Sequence, residues 1–179
     1  MHKSVTVIGS GSWATALAVL LAKKGISVQM WSRRSDQAQT MTNTRENLHY
    51  LPGVVLPANI FVTADMEQAL AGTEAVVLGV PSHAVRENLK NIAPLIPGSR
   101  LIINTAKGIE EGTLLRLSQV MEEELGSKHR LVVLSGPSHA EEVAKDIPTT
   151  VVVAAEHRLA AEEAQDLFMT PKSYESIDL

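Results

Sequence analysis

The sequence contains no cysteine. That excludes disulfides, a thiol nucleophile and a thiolate metal cluster, and it fits a reducing compartment. An excess of basic residues is missing too. Sixteen lysines and arginines stand against 20 aspartates and glutamates, a formal net charge of −4. A sequence-independent grip on nucleic acid needs a basic face, so only a local anion site stays open. No apolar run is long enough to cross a bilayer; residues 13–21 come nearest and fall short. Lys23 and Lys24 follow that run, whereas a signal peptide carries its basic residues ahead of the apolar core. With no other targeting or lipid signal, the cytoplasm is the expected location and no membrane insertion is expected. The histidines sit at no metal-ligand spacing and no acidic cluster accompanies them. There is no Gly-x-Ser-x-Gly elbow, no internal repeat and no low-complexity segment.

What is present suits one globular domain: 179 residues, 45% hydrophobic and 20% charged. Short apolar runs alternate with longer amphipathic ones. Strands are expected at 5–8, 26–31, 60–63, 75–80, 100–104, 131–134 and 149–155. Helices are expected at 12–24, 35–47, 65–71, 82–92, 113–125, 138–145 and 157–168. Asp65 and Gln68 are spaced for a capping box, as are Ser138 and Glu141. The run 75–80 is nearly all apolar, as in a central strand covered on both faces. This alternation predicts an α/β fold: a doubly wound, mainly parallel, Rossmann-like sheet with helices on both faces. Residues 48–60 carry two prolines and a glycine and are expected to form no regular element; a long loop of this kind is often functional.

The motif G-S-G-S-W-A begins at Gly9. Alone it is a weak signal. Here it follows an expected strand and opens an expected helix, the context that gives it meaning. Gly9 permits a tight turn, Gly11 lets the backbone approach a pyrophosphate, and Ala14 is small enough for close packing in the third position. The helix start then presents free N–H groups and the positive end of its dipole. An acid at the end of strand two would bind the ribose hydroxyls of NAD. This chain instead has Arg33 and Arg34, which suit a 2′-phosphate; the competing reading is a solvated basic turn. Ligands in such sheets sit at the carboxyl ends of strands. Those ends carry Pro81, which serves equally well as a plain strand-to-helix turn, and Lys107, which is either a cleft residue or a surface charge. The Ser138 helix start is either a second anion site or an ordinary cap. His83 and His139 fall near this edge without an assigned role.

Six stretches, in order, carry a resemblance: "GSGSWATALA", "MWSRR", "RENLHYLPGVVLP", "VPSH", "AKGIEEGT" and "SGPSHAEEVA". Together they resemble the bacterial NAD(P)-dependent glycerol-3-phosphate dehydrogenase family, over nearly the whole chain to about Val153. The resemblance implies hydride transfer between NAD(P)H and dihydroxyacetone phosphate, supplying glycerol 3-phosphate for phospholipid synthesis. It implies cofactor contacts at Ser12, Trp13, Arg33, Arg34, Tyr50, Lys107 and Ala140, and substrate contacts at Lys107, Gly136 and Ser138. NADP(H) is the expected cofactor, with NAD(H) as the alternative. Residue 14 departs from the family's frequent glycine.

The family's general acid/base is a lysine in a Gly-Gly-Ala-x-Lys-Asn motif, which this chain lacks. "SYESIDL" resembles the stretch just before it, with Asp178 matching a family aspartate. The resemblance therefore implies that the general acid/base lysine lies beyond Leu179. Residues 1–179 are expected to be a dinucleotide-binding domain ending just before a helical catalytic domain, with no catalytic residue of its own and no activity alone. A homodimer is an option for the longer protein. Two other readings compete: a self-standing NADP(H)-binding module without chemistry, and another reductase built on the same kind of sheet.

Overall fold

The computed structural model describes residues 3–170 and 173–178. The elements run β1 (Ser4–Ile8), α1 (Ser12–Lys23), β2 (Ser27–Trp31), α2 (Ser35–Thr44), β3 (Glu46–Asn47), β4 (Leu51–Val55), β5 (Ile60–Thr63), α3 (Met66–Leu70) and β6 (Ala75–Leu78). They continue with α4 (Val85–Ile92), β7 (Leu101–Asn104), α5 (Leu117–Leu125), β8 (Arg130–Ser135), α6 (Ala140–Ala144), β9 (Thr149–Ala154), α7 (Arg158–Phe168) and β10 (Ser173–Asp178).

Among the described residues, eight strands form one sheet in the order β10-β9-β8-β7-β6-β1-β2-β5. Side-chain alternation along the strands divides its residues between two cores. Val5 and Val7 of β1, Val77 of β6 and Ile103 of β7 face α1, α6 and α7. Ile8, Val76, Leu78 and Ile102 face α4 and α5. Thr6 is fully buried on the strand, and its hydroxyl donates to the Ala69 carbonyl at 2.6 Å, so it binds α3 without an orphaned polar group. The two-sided covering explains the continuous apolar run of β6.

The expected doubly wound sheet is present, with one reversal. All its pairings are parallel except β8 with β9. The connection between them contains only the five-residue α6, about 7.5 Å long. A helical crossover to a parallel strand must carry the chain back along the length of β8, six residues or roughly 20 Å, and this helix is too short to do so. It packs on α1, and β9 runs back antiparallel.

Several local expectations fail for identifiable reasons. Residues 48–60 do contain a regular element. β4 pairs antiparallel with β3, with partners Glu46–Val55 and Asn47–Leu51 across a bulge. The bulge leaves Pro52 and Gly53 outside the pairing, so neither has to supply a ladder bond. Helix α2 stops at Thr44 instead of reaching residue 47, because Arg45 turns left-handed at φ 54°. Its guanidinium then donates to the carbonyls of Leu56, Pro57 and Ile60, closing the loop. The Ser138–Glu141 capping box does not form. Helix α6 begins at Ala140 with His139 as its cap residue and no side-chain cap. Helix α5 starts at Leu117, four residues later than expected. At α3, Asp65 caps as expected by accepting from the Gln68 N–H at 3.1 Å. The Gln68 side chain does not complete the box; it accepts from the Thr63 hydroxyl, which accepts from the Asp65 N–H.

The tightest packing lies where β1 and β6 leave the sheet. A Cβ on Gly9 would stand 2.6 Å from the Gly79 carbonyl oxygen, and one on Gly79 would stand 2.6 Å from the Ala14 Cβ. Gly79→Ala is expected to cost about 1–3 kcal/mol of stability in urea unfolding. The loss should shrink when Ala14→Gly is made in the same chain, since that removes the colliding methyl. Equal losses in both backgrounds would mean that β6 and α1 separate without resistance.

Candidate functional site

The sheet order reverses at β1, which lies between β2 and β6. Connections leave β1 and β6 toward opposite faces there, opening a crevice at their carboxyl ends. Gly9 begins that crevice at φ +116°, a conformation that side chains rarely adopt. Its N–H still donates to the Trp31 carbonyl at 2.9 Å, so the turn starts while bonded to β2. Gly11 caps α1 from an extended conformation, and its Cβ position opens onto space with no atom within 4 Å. The loop thus forms a cradle beside the helix start, the shape a pyrophosphate requires.

Side chains that the sequence reading left without a role hold this loop. The Ser10 carbonyl accepts from Gln37 Nε2 at 3.0 Å and from Asn47 Nδ2 at 2.9 Å. Asn47 Nδ2 also donates to Thr15 Oγ1 at 2.8 Å, and its Oδ1 accepts from the Tyr50 N–H at 3.3 Å. The Ser10 hydroxyl donates to buried Ser32, which donates to the Arg34 carbonyl. The glycine loop, the end of β2 and the Tyr-Leu-Pro-Gly loop are therefore one hydrogen-bonded unit. Asn47 had a signal in the sequence: it is the asparagine three residues before Tyr50.

The two arginines differ. Arg34 makes a forked pair with Asp36, Nε to Oδ1 at 3.1 Å and Nη2 to Oδ2 at 2.5 Å. Hydrogen bonding to that guanidinium holds the Asp36 carboxyl below its usual range, and the bond raises Arg34 in return. Both side chains are mostly exposed, so the pair adds little stability. Arg33 is exposed and has no ion-pair partner among the described residues. Arg33, Arg34 and Tyr50 line one side of a groove of about 430 Å³. Gly9 and Gly11 form its floor, and Pro81 and Asn88 stand on the opposite wall. Exposed Tyr50 meets the His49 ring edge-on, centroids 4.5 Å apart.

The other expected site residues lie elsewhere. Trp13 is half-buried against the first core and lines an apolar pocket with Leu17, Val143 and Phe168. Ala140 is buried in the same core. Ser12 is half-buried at the first position of α1. Lys107, Gly136 and Ser138 lie at the next strand ends. The Lys107 ammonium donates to the Gly136 carbonyl at 2.7 Å, joining the ends of β7 and β8. A Cβ on Gly136 would meet the Thr150 carbonyl oxygen at 2.7 Å, so β9 alone requires glycine there. With the Ser138 cap absent and α6 only five residues long, the second anion site expected at that helix start loses its support. His83 lines the groove. The side chain of Asp178 lies outside the described residues, and so does Leu179, the position beyond which the general acid/base lysine is expected. No group of three potential metal ligands occurs among the described residues.

The family described as NAD-dependent glycerol-3-phosphate dehydrogenase N-terminus matches residues 4–161. The chain belongs to this family. It is 58% identical over 171 residues to the glycerol-3-phosphate dehydrogenase [NAD(P)+] of Pelotomaculum thermopropionicum, covering 94% of this chain and 49% of the relative. It is 53% identical to that of Moorella thermoacetica, covering 96% of this chain and 50% of the relative. The crystal structure of glycerol-3-phosphate dehydrogenase from Coxiella burnetii superposes with a TM-score of 0.93 at 32% identity, covering 98% of this chain and 53% of that one. The chain thus spans about half the length of the relatives it matches. The doubly wound fold expected from the alternation is the fold of these family members.

In the Lys-Gly-Ile-Glu segment, residues 107–110, Glu110 fixes the loop that follows Lys107. Arg86 Nε reaches Glu110 Oε1 at 2.6 Å, and the same guanidinium contacts Glu123 at 2.7 Å and also Glu124. The Thr113 hydroxyl also donates to Glu110. Hydrogen bonding from Arg86, then from Thr113, lowers the Glu110 carboxyl from 4.5 to about 2. A depressed carboxyl contributes stability that is complete above its unfolded value and is lost as pH falls through its folded value. Wild-type protein should therefore lose stability more steeply than Glu110→Gln as pH falls from 4.5 to about 2. Parallel curves in acid-dependent urea unfolding would show that this carboxyl is not held low.

Proposed function

We propose that this protein is the cofactor-binding half of an NAD(P)-dependent glycerol-3-phosphate dehydrogenase that favours NADP(H) over NAD(H). One observation carries the reading: a glycine cradle at the strand-order switch continues into a groove walled by an exposed, unpaired arginine. Gly9 and Gly11 keep side chains out of the cradle, and the start of α1 directs backbone N–H groups and positive dipole toward an anion. Arg33 supplies a fork for a 2′-phosphate. Arg34 keeps its charge but has committed donors to Asp36. Tyr50 offers a flat face along the groove.

The bound dinucleotide would supply the hydride. The chain's own contribution is to bind, orient and compensate charge. Lys107 brings a positive charge to the end of β7, where it can face both a cofactor and a phosphorylated substrate such as dihydroxyacetone phosphate. Gly136 and Ser138 form the neighbouring substrate-side edge, and Ser12, Trp13 and Ala140 support the cofactor side. In this reading Trp13 and Ala140 act from behind the cradle, through the packing of α1 against α6. Reduction of a carbonyl also needs a proton donor at the developing oxyanion. The reading assigns that donor to a segment beyond Leu179, corresponding to the second half of the relatives. It places the protein in the cytoplasm; no helix among the described residues is long and apolar enough to cross a membrane.

Titration with NADPH and NADH tests the reading. Arg33→Ala should weaken NADPH by about 1.5–3 kcal/mol, the range for a hydrogen bond to a charged group, and NADH much less. Arg34→Ala should cost less than Arg33→Ala. Equal weakening of both cofactors by Arg33→Ala would remove the 2′-phosphate role. For activity, NADPH oxidation with dihydroxyacetone phosphate should need a chain that includes the second half, and Lys107→Ala there should lower turnover. Full turnover by residues 1–179 alone would overturn the assignment of the proton donor.

A further inference from the structure

The groove wall opposite Arg33 is built by α4. Ala84, Asn88 and Asn91 fall at i, i+4 and i+7 and so share one face of this segment. Asn88 is the buried member, 8% exposed. Its Nδ2 donates to the Ala84 carbonyl at 2.8 Å. Its Oδ1 has no hydrogen-bond partner, and it is the one buried side-chain nitrogen or oxygen in that position among the described residues. A buried acceptor without a donor is a net cost to the fold. The neighbouring buried positions of α4, Val85, Leu89 and Ile92, are apolar, and an apolar side chain at 88 would avoid that cost.

We propose that Asn88 reads the base of the dinucleotide, its Oδ1 accepting from the 6-amino group of adenine. The proposal rests on the cofactor reading above. With the pyrophosphate in the Gly9–Gly11 cradle and the adenosine ribose at Arg33, the base is one glycosidic bond from that ribose. It must then lie in the groove against the α4 wall. An asparagine amide presents an acceptor and a donor side by side. The edge of adenine presents the matching donor and acceptor, the pairing by which Asn recognises adenine in nucleic acids. The single bond to Ala84 leaves Nδ2 a second hydrogen. Oδ1 is covered from solvent, so water does not satisfy it; the terminal torsion of asparagine is soft, and a modest rotation turns the amide toward the groove. Hypoxanthine carries an oxygen where adenine carries the amine. It would set acceptor against acceptor.

The experiment compares NADPH with its reduced hypoxanthine analogue, by direct titration, in wild type, Asn88→Leu and Asn88→Ala. Wild type should favour NADPH by about tenfold or more. Both variants should bring that ratio near one, weakening NADPH and leaving the analogue bound as tightly as before or more tightly. Thermal unfolding supplies a second reading: Asn88→Leu should be at least as stable as wild type, since it removes an unsatisfied acceptor, whereas a residue kept for structure would lose stability. A wild-type ratio retained in the variants would overturn the proposal and point instead to exposed Glu87 or Asn91 on the same wall. Equal weakening of both dinucleotides would overturn it too, leaving Asn88 as a shaping residue. Wild type that is folded yet binds neither dinucleotide would overturn the cofactor reading itself, and the base assignment with it.

Discussion

Gly9, Gly79 and Ala14 meet where β1 and β6 leave the sheet, and neither glycine has room for a Cβ. This contact sets the distance between the two central strands and the first helix. It aims the start of α1 at the mouth of the crevice and keeps the loop from Gly9 to Gly11 flat against the sheet edge. A wider approach would tilt α1 and turn its free N–H groups away from the crevice. The groove that continues toward Arg33 depends on that placement.

Packing fixes the position of the loop, and hydrogen bonds fix its shape. One carbonyl, that of Ser10, is held by Gln37 and Asn47 from two different elements. Asn47 also fastens the Tyr-Leu-Pro-Gly loop, which brings Tyr50 to the groove. These buried or half-buried groups satisfy one another, so the cradle exists before anything enters it. A preorganised site spends less of its binding free energy on ordering.

The charges are sorted by place. The chain is acidic overall, yet Arg33 and Arg34 sit on the groove and Lys107 at the neighbouring strand end. The carboxylates that outnumber them are partly withdrawn around Arg86, where Glu110, Glu123 and Glu124 share one guanidinium. That cluster also anchors the loop following Lys107, so the same arrangement that gathers acids fixes the placement of a cation.

The sequence by itself determined the alternation of strands and helices, the glycine turn, the basic end of β2 and, through six ordered motifs, the family. These are local properties: a periodicity of two or 3.6, a missing side chain, a charge at a strand end. Only the tertiary structure decided the direction of β9, because that depends on whether a five-residue helix can carry the chain back across the sheet. It alone brought Pro52 and Gly53 into a bulged ribbon that a linear reading forbids. It separated two adjacent arginines into one paired and one unpaired, removed the cap expected at Ser138, and placed Trp13 and Ala140 behind the cradle. Gly79 looked unexceptional in the chain, and Asn47 was one letter of a motif without a stated role. Their importance comes from partners 65 and 32 residues away, and no spacing rule along the sequence encodes which surfaces will meet.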